Sequence, residues 1–119
     1  MEFLSEKRLA EELWETALEA IGTTEMDHAC ANYLRGWIAV GVQRMIRQGR
    51  NSRADLVLAQ TNLRRLIGLL KNEASFLGTT RRLDKDTFKA TRKRLRRRAC
   101  MTAFELWPLW PHNFVVSEG

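Results

Sequence analysis

A run of basic side chains between residues 81 and 98 is the part of the sequence best suited to binding an anionic partner. The run holds ten of the twenty Lys and Arg residues of the chain, against only Asp84 and Asp86. Its net charge is therefore +8, whereas the rest of the chain sums to −2. Such a charge density repels itself unless a polyanion or an acidic partner neutralises it. The planar guanidinium of arginine suits phosphate, and arginine outnumbers lysine fifteen to five in the whole chain.

The spacing of these basic residues differs from that of an ordinary solvated helix face. On a helix Lys89 lies next to Lys93, and Arg92 next to Arg96, because residues three or four positions apart are neighbours. Each such like-charge pair destabilises a helix by roughly 0.2–0.5 kcal/mol, and a solvated face would more often interleave Glu. We therefore predict a helix that contacts the phosphate backbone of RNA or DNA. The predicted binding residues are Arg81, Arg82, Lys85, Lys89, Arg92, Lys93, Arg94, Arg96, Arg97 and Arg98.

Residues suited to catalysis or metal binding are scarce. The chain has two histidines, His28 and His112, and it has no Gly-rich phosphate loop, His-Glu-x-x-His motif or Cys-x-x-Cys pair. His28 and Cys30 diverge by about 200° on a helix because they are two positions apart, so they cannot chelate one metal together. We therefore predict that the protein is not an enzyme and has no catalytic residue, no metal site and no cofactor.

Length and composition favour one intracellular domain. A chain of 119 residues that is 45% hydrophobic is long enough for a single modest core. No uncharged apolar run approaches about 18 residues, which predicts no transmembrane span, and the first residues lack the pattern of a signal peptide. Cys30 and Cys100 both fall in apolar helical patterns, which is typical of small core residues in a reducing compartment. We therefore expect a cytoplasmic protein.

Four helices are predicted to position the basic run. Apolar residues recur with the period of a helix through most of the chain, which predicts an all-α fold. They form a stripe on the third helix that includes Leu56, Leu63, Leu66 and Leu70. They also cover more than half the circumference of the second helix, including Tyr33, Trp37 and Val40, which predicts a central position for that helix. We expect a compact bundle of about four helices in a single domain, with an extended Trp/Pro C-terminal tail packed over one end. The predicted helices span about residues 5–21, 24–48, 52–77 and 84–107, the tail spans residues 108–119, and the domain spans residues 1–119.

Local signals set the predicted helix ends. The segments Thr24–Asp27 and Ser52–Asp55 both have the capping-box pattern, in which a hydroxyl and an acid three positions later cap one another's backbone N–H groups. Asp84 is expected to cap the fourth helix, and Pro108 forbids its continuation. Three glycines are predicted to stop the first three helices, namely Gly22, Gly49 and Gly78.

The helices differ in charge and in expected burial. Residues 1–27 carry a net charge of −6, and this acidic face is either solvated, or shields the basic helix, or contacts a basic neighbour. Residues 28–80 carry +6, with four arginines around the exit of the second helix and Arg64, Arg65 and Lys71 on the third. Small residues, including Gly36 and Gly41, are expected to let neighbours approach the second helix closely.

Two parts of the fourth helix are predicted to behave differently. Between residues 85 and 98 only Phe88 and Leu95 can anchor the helix substantially, so this half should face outward. Residues 99–107 are apolar nearly all round and should be buried. The tail that follows either seals the bundle or supplies hydrophobic anchors for a partner protein. The predicted partner-binding residues of the second alternative are Trp107, Trp110 and Phe114.

Together these patterns predict a non-catalytic nucleic-acid-binding module, a small subunit of a larger nucleoprotein complex with protein partners. Backbone contact is better supported than base stacking, because the aromatic residues fall mainly in predicted core positions and in the tail. The alternative is a protein–protein adaptor or regulator, whose basic helix docks an acidic partner and whose tail anchors it. No membrane partner is predicted, because the apolar face of the basic helix is narrow.

Overall fold

The computed structural model describes residues 2–22, 25–26, 28–76, 82–95, 97 and 107–109. Their fold is all-α, as predicted, and it contains four helices: α1 (Glu6–Ile21), α2 (His28–Arg47), α3 (Arg53–Phe76) and α4 (Lys85–Leu95). Two two-residue strands, β1 (Glu25–Met26) and β2 (Arg82–Leu83), pair in parallel, with Glu25 opposite Arg82. The predicted tail beyond Leu109 lies outside the described residues.

Two of the predicted N-terminal caps are confirmed by hydrogen bonds. At the start of α3 the backbone N–H of Ser52 donates to Asp55 Oδ2 at 3.1 Å, and the N–H of Asp55 donates back to Ser52 Oγ at 3.3 Å. This is the reciprocal capping box. At the start of α4 the N–H of Thr87 donates to Asp84 Oδ1 at 2.7 Å. Both helix starts are therefore set by residues that satisfy first-turn N–H groups.

Gly49 ends α2 in the manner predicted for a glycine stop. Its φ of +66° is strained for residues with a Cβ atom. The N–H of Gly49 donates to the carbonyl of Ile46, and the N–H of Arg50 donates to that of Met45 at 2.9 Å. These two bonds form a Schellman motif, which satisfies carbonyls that the helix itself leaves unpaired.

Some predicted boundaries differ from the observed ones. The second helix begins at His28 and not at Thr24, because Glu25 and Met26 form β1 and their partners come from a distant part of the chain. Helix periodicity carries no sign of such a long-range pairing. Thr24 and Asp27, and with them the proposed capping box, lie outside the described residues, as does Gly78. The described part of α4 ends at Leu95, so the predicted continuation to Trp107 stays a prediction.

The helices pack as a four-membered ring around one core. Helices α2 and α3 each pack against both α1 and α4, so the acidic α1 and the basic α4 occupy opposite corners of the bundle. The predicted apolar stripe of α3 is confirmed, because Leu56, Leu63, Leu66 and Leu70 are all buried. Further core side chains include Leu9, Leu13, Leu34, Met45, Phe88 and Trp107.

Helix α2 is less enclosed than predicted. Its predicted apolar circumference includes Val40, which is 48% exposed, and Gly36 and Ala39 also lie at the surface. Of the two glycines expected to admit a neighbour, Gly41 is buried and does so. The difference arises because α2 packs mainly on α1 and α4, which leaves its outer side uncovered by the described residues.

Hydrogen bonds at both ends of α1 establish that α1 and α3 run in the same direction. The N–H of Leu4, just before α1, donates to the carbonyl of Asn51 at 2.8 Å, and Asn51 Nδ2 donates to the carbonyl of Leu4. At the far end Lys71 Nζ donates to the carbonyl of Ile21 at 3.0 Å, so α1 and α3 run in parallel. Lys71, counted among the basic residues of the third helix in the sequence, thus caps the end of α1.

Helices α2 and α4 run the opposite way to α1 and α3. Each follows one strand of the parallel pair after a single intervening residue, so the two helices leave that pair side by side. At one end of the bundle lie the N-termini of α1 and α3 and the C-termini of α2 and α4. We call it the turn end, because it includes the turn of residues 48–52 between α2 and α3.

Candidate nucleic-acid interface

One narrow side attaches α4 to the core. Phe88 has no exposed surface, and its ring lies 5.2 Å from that of Tyr33 and 6.2 Å from that of Trp37, centroid to centroid. Both contacts are edge-on, the geometry that aromatic pairs favour. Thr91, one turn further along α4, is also fully buried. The predicted anchor Phe88 is thus confirmed, whereas the side chain of Leu95 lies outside the described part of the chain.

The basic residues of α4 lie on its remaining surface. Lys85, Lys89, Lys93 and Arg94 are exposed, and Arg92 is half-buried beside the anchored side. Arg97, just beyond the helix, is exposed as well. The other predicted binding residues are not described at the side-chain level: Arg82 contributes its backbone to β2, and Arg81, Arg96 and Arg98 lie outside the described residues.

Tyr33 of α2 holds two of the basic side chains. Lys89 Nζ and Arg92 Cζ each lie 5.2 Å from the centroid of its ring. A cation over an aromatic face at this distance gains about 0.5–1 kcal/mol at an exposed site. Tyr33 therefore positions Lys89 and Arg92 along the junction of α2 and α4. Sequence analysis missed this role, although Tyr33 and Trp37 stand four positions apart on the predicted apolar side of α2.

The positive charge of α4 is not balanced by the acidic helix. Ion pairs join Arg8 to Glu12 at 3.1 Å within α1, and Arg50 to Asp55 at 3.7 Å at the start of α3. Within the described ranges Lys85, Lys93 and Arg97 form no ion pair, hydrogen bond or ring contact. Since α1 lies across the bundle from α4, the described residues do not form the internal shield that the sequence left open.

Trp107 lies inside the bundle and has no exposed surface. Its indole ring lies 4.9 Å from that of Trp37, and the next residue, Pro108, accepts a hydrogen bond through its carbonyl from Asn62 Nδ2 at 2.7 Å. Trp107 is therefore a core residue of this chain and not an exposed anchor for a partner. Trp110 and Phe114 lie outside the described residues, so their predicted role stays a prediction.

Two grooves on the α1 side of the bundle could hold a small ligand. One, of about 280 Å³, is lined by Trp14 of α1 and Arg35 of α2, whose guanidinium carbon lies 4.4 Å from the indole centroid. The other, of about 420 Å³, is lined by Glu19, Arg64 and Lys71. Neither brings together a nucleophile and a base with a third group to orient them.

Among the described residues no three His, Cys, Asp or Glu side chains stand close enough to hold a metal ion. No helix described here is both long and apolar enough to cross a membrane. No protein-family model matches the chain, and no curated protein and no solved structure shows significant similarity to it.

Proposed function

We propose that this protein is a non-catalytic module that binds the phosphate backbone of RNA or DNA through α4, as a small subunit of a larger nucleoprotein complex. One observation carries the proposal. The exposed cations of α4 stand on a helix that Phe88 fixes to the core, and the acidic helix that could neutralise them lies at the opposite corner.

Repulsion between like charges on α4 supports the binding of an external anion. Lys85, Lys89 and Lys93 follow one another at intervals of four residues on α4, so two like-charge pairs recur along one strip, and Arg97 follows four positions later, just beyond the helix. At roughly 0.2–0.5 kcal/mol each, the two pairs cost about 0.4–1.0 kcal/mol in the free protein. Phosphate groups placed along the strip would remove that repulsion, and the release of their counterions would add to the affinity.

The aromatic residues favour contact with the backbone over contact with bases. Phe88, Trp37 and Trp107 pack on one another in the core, and Tyr33 is engaged with Phe88 and with two cations. Phe88 and Trp107 have no exposed surface on which a base could stack, and the ring of Tyr33 already has two cations over it. Binding through phosphate contacts alone is tolerant of sequence, so we expect similar affinities for unrelated sequences of one strand type.

The test compares two variants that lose the same charge. The first, Lys93→Gln/Arg97→Gln, removes exposed cations from the α4 strip. The matched control, Arg35→Gln/Arg64→Gln, removes two cations on the α1 side of the bundle, where the residues line the grooves described above. Affinity is measured by fluorescence anisotropy with a labelled 20-base-pair duplex DNA and a labelled 20-nucleotide RNA over a salt series.

We expect the α4 variant to lose two phosphate contacts. The slope of log K against log salt on duplex DNA should then become shallower by about 1.8, while the control should keep nearly the wild-type slope. Equal losses in the two variants would show that only net charge matters and would overturn the assignment to α4. If the wild-type protein binds neither probe at low salt, the proposal fails and an acidic protein partner becomes the better explanation.

A further inference from the structure

A second group of arginines lies where α2 passes into α3. Arg44 and Arg47 occupy the last turn of α2, and Arg50 and Arg53 follow around the turn. Arg47 and Arg53 are exposed. Arg50 lies 3.7 Å from Asp55, which is the one acid within residues 44–55.

The topology directs the end of α4 toward these arginines. Helix α4 starts beside the start of α2, and Phe88 contacts α2 at Tyr33 and Trp37, so both helices advance toward the turn end. From Phe88 to Leu95 α4 advances about 10 Å, and from Trp37 to Arg47 α2 advances about 15 Å, at 1.5 Å per residue. The last cations of α4 therefore approach the level at which α2 ends.

The helix dipole explains the position of Arg47 at the end of α2 but not that of Arg53 at the start of α3. A cation in the last turn of a helix interacts favourably with the helix dipole, so Arg47 has a role in the stability of α2. Arg53 is the first residue of α3, where the same dipole disfavours a positive charge. No carboxylate among the described residues pairs with Arg53. The positive charge of Arg53 is therefore unfavourable for the stability of α3.

We propose that Arg47 and Arg53 form a second phosphate-binding site, continuous with α4 and occupied by the same nucleic acid. This inference rests on the proposed function of α4. A strand that runs from the level of Phe88 to Arg47 covers about 15 Å, which corresponds to about four base pairs at 3.4 Å each.

The experiment uses two single substitutions in the same helix. Arg53→Gln removes the cation at the start of α3, and Arg64→Gln removes another exposed arginine on the α1 side of that helix. A third variant, Arg47→Gln, tests the other member of the site. All three variants are titrated over a salt series against the labelled 20-base-pair duplex, and their thermal midpoints are recorded.

We expect Arg53→Gln to make the slope of log K against log salt shallower by about 0.9, the value for one lost phosphate contact, with a thermal midpoint equal to or above that of the wild type. Arg47→Gln should change the slope by the same amount, and Arg64→Gln should leave it nearly unchanged. The second site is refuted if Arg53→Gln and Arg47→Gln give the same slope as Arg64→Gln while Lys93→Gln/Arg97→Gln still makes the slope shallower. In that case the proposed function of α4 stands. If the wild-type protein does not bind the duplex at all, both proposals are refuted.

Discussion

Among the described glycines, Gly41 is the one at which an added methyl group should disturb the core most. It lies in α2 directly beneath the indole ring of Trp107. A Cβ atom at Gly41 would lie 2.5 Å from Cζ2, 2.8 Å from Cε2 and 3.1 Å from Nε1 of that ring. Carbon atoms in van der Waals contact stand about 3.5–4.0 Å apart, so the overlap is about 1 Å. A rigid ring cannot relieve this overlap by moving one atom.

The cost of Gly41→Ala follows from what Trp107 would lose. The ring packs on Trp37 at 4.9 Å, and the next residue is held by the hydrogen bond from Asn62 to the Pro108 carbonyl, so a shift of Trp107 disturbs both contacts. Removal of a buried Trp side chain from a core costs about 3–5 kcal/mol. Alanine recovers about 1 kcal/mol of helix propensity relative to glycine. The expected loss of unfolding free energy is therefore about 2–4 kcal/mol.

Gly36→Ala is the matched control for this substitution. Gly36 lies in the same helix, is exposed, and has no atom within 4 Å of the position of an added Cβ. Urea unfolding monitored by circular dichroism should show a gain of up to about 1 kcal/mol for Gly36→Ala. In a Trp107→Leu background Gly41→Ala should become nearly harmless, because the clashing ring is absent. Equal stability of the two single alanine variants would refute the packing of Trp107 on Gly41.

Two further substitutions test how the bundle holds and starts its helices. Phe88→Ala removes the fully buried anchor of α4 and should lower the unfolding free energy by about 3–5 kcal/mol in the same urea assay, and a loss below 1 kcal/mol would contradict the anchoring. Asp55→Ala breaks the capping box with Ser52 and the contact with Arg50, and should cost about 0.5–2 kcal/mol; an unchanged thermal midpoint would show that the cap contributes nothing.

Much of the fold follows from local sequence patterns. The leucine stripe of α3, the capping box at Ser52 and the glycine stop at Gly49 all involve residues close together in the chain. Helix periodicity and capping chemistry are local, so these elements could be predicted without knowledge of the fold. The same holds for Asp84, which caps α4 within one turn.

The features that the sequence did not predict all join distant parts of the chain. The pairing of β1 with β2 delays the start of α2, and Lys71 of α3 caps the end of α1. Asn62 lies within the predicted α3, but its bond to the Pro108 carbonyl depends on how the bundle closes. Such contacts follow from packing, and no short-range pattern in this chain encodes them.

The candidate site was predicted in part. Composition and charge identified the basic residues of α4, and helix geometry identified Phe88 as their anchor. The position of α1 across the bundle, and the contact of Tyr33 with Lys89 and Arg92, required the three-dimensional arrangement. The position of α1 decides whether the charge of α4 is available to an external anion, and this position could not be inferred from charge counts.

The salt dependence of binding by the wild-type protein tests the central claim most directly. If about five phosphates are neutralised, log K should fall against log salt with a slope near −4.5 on duplex DNA and near −3.5 on single strands. The measurement requires only purified full-length protein, two labelled oligonucleotides and a potassium chloride series. An affinity that stays the same from low to high salt would contradict binding through the phosphate backbone.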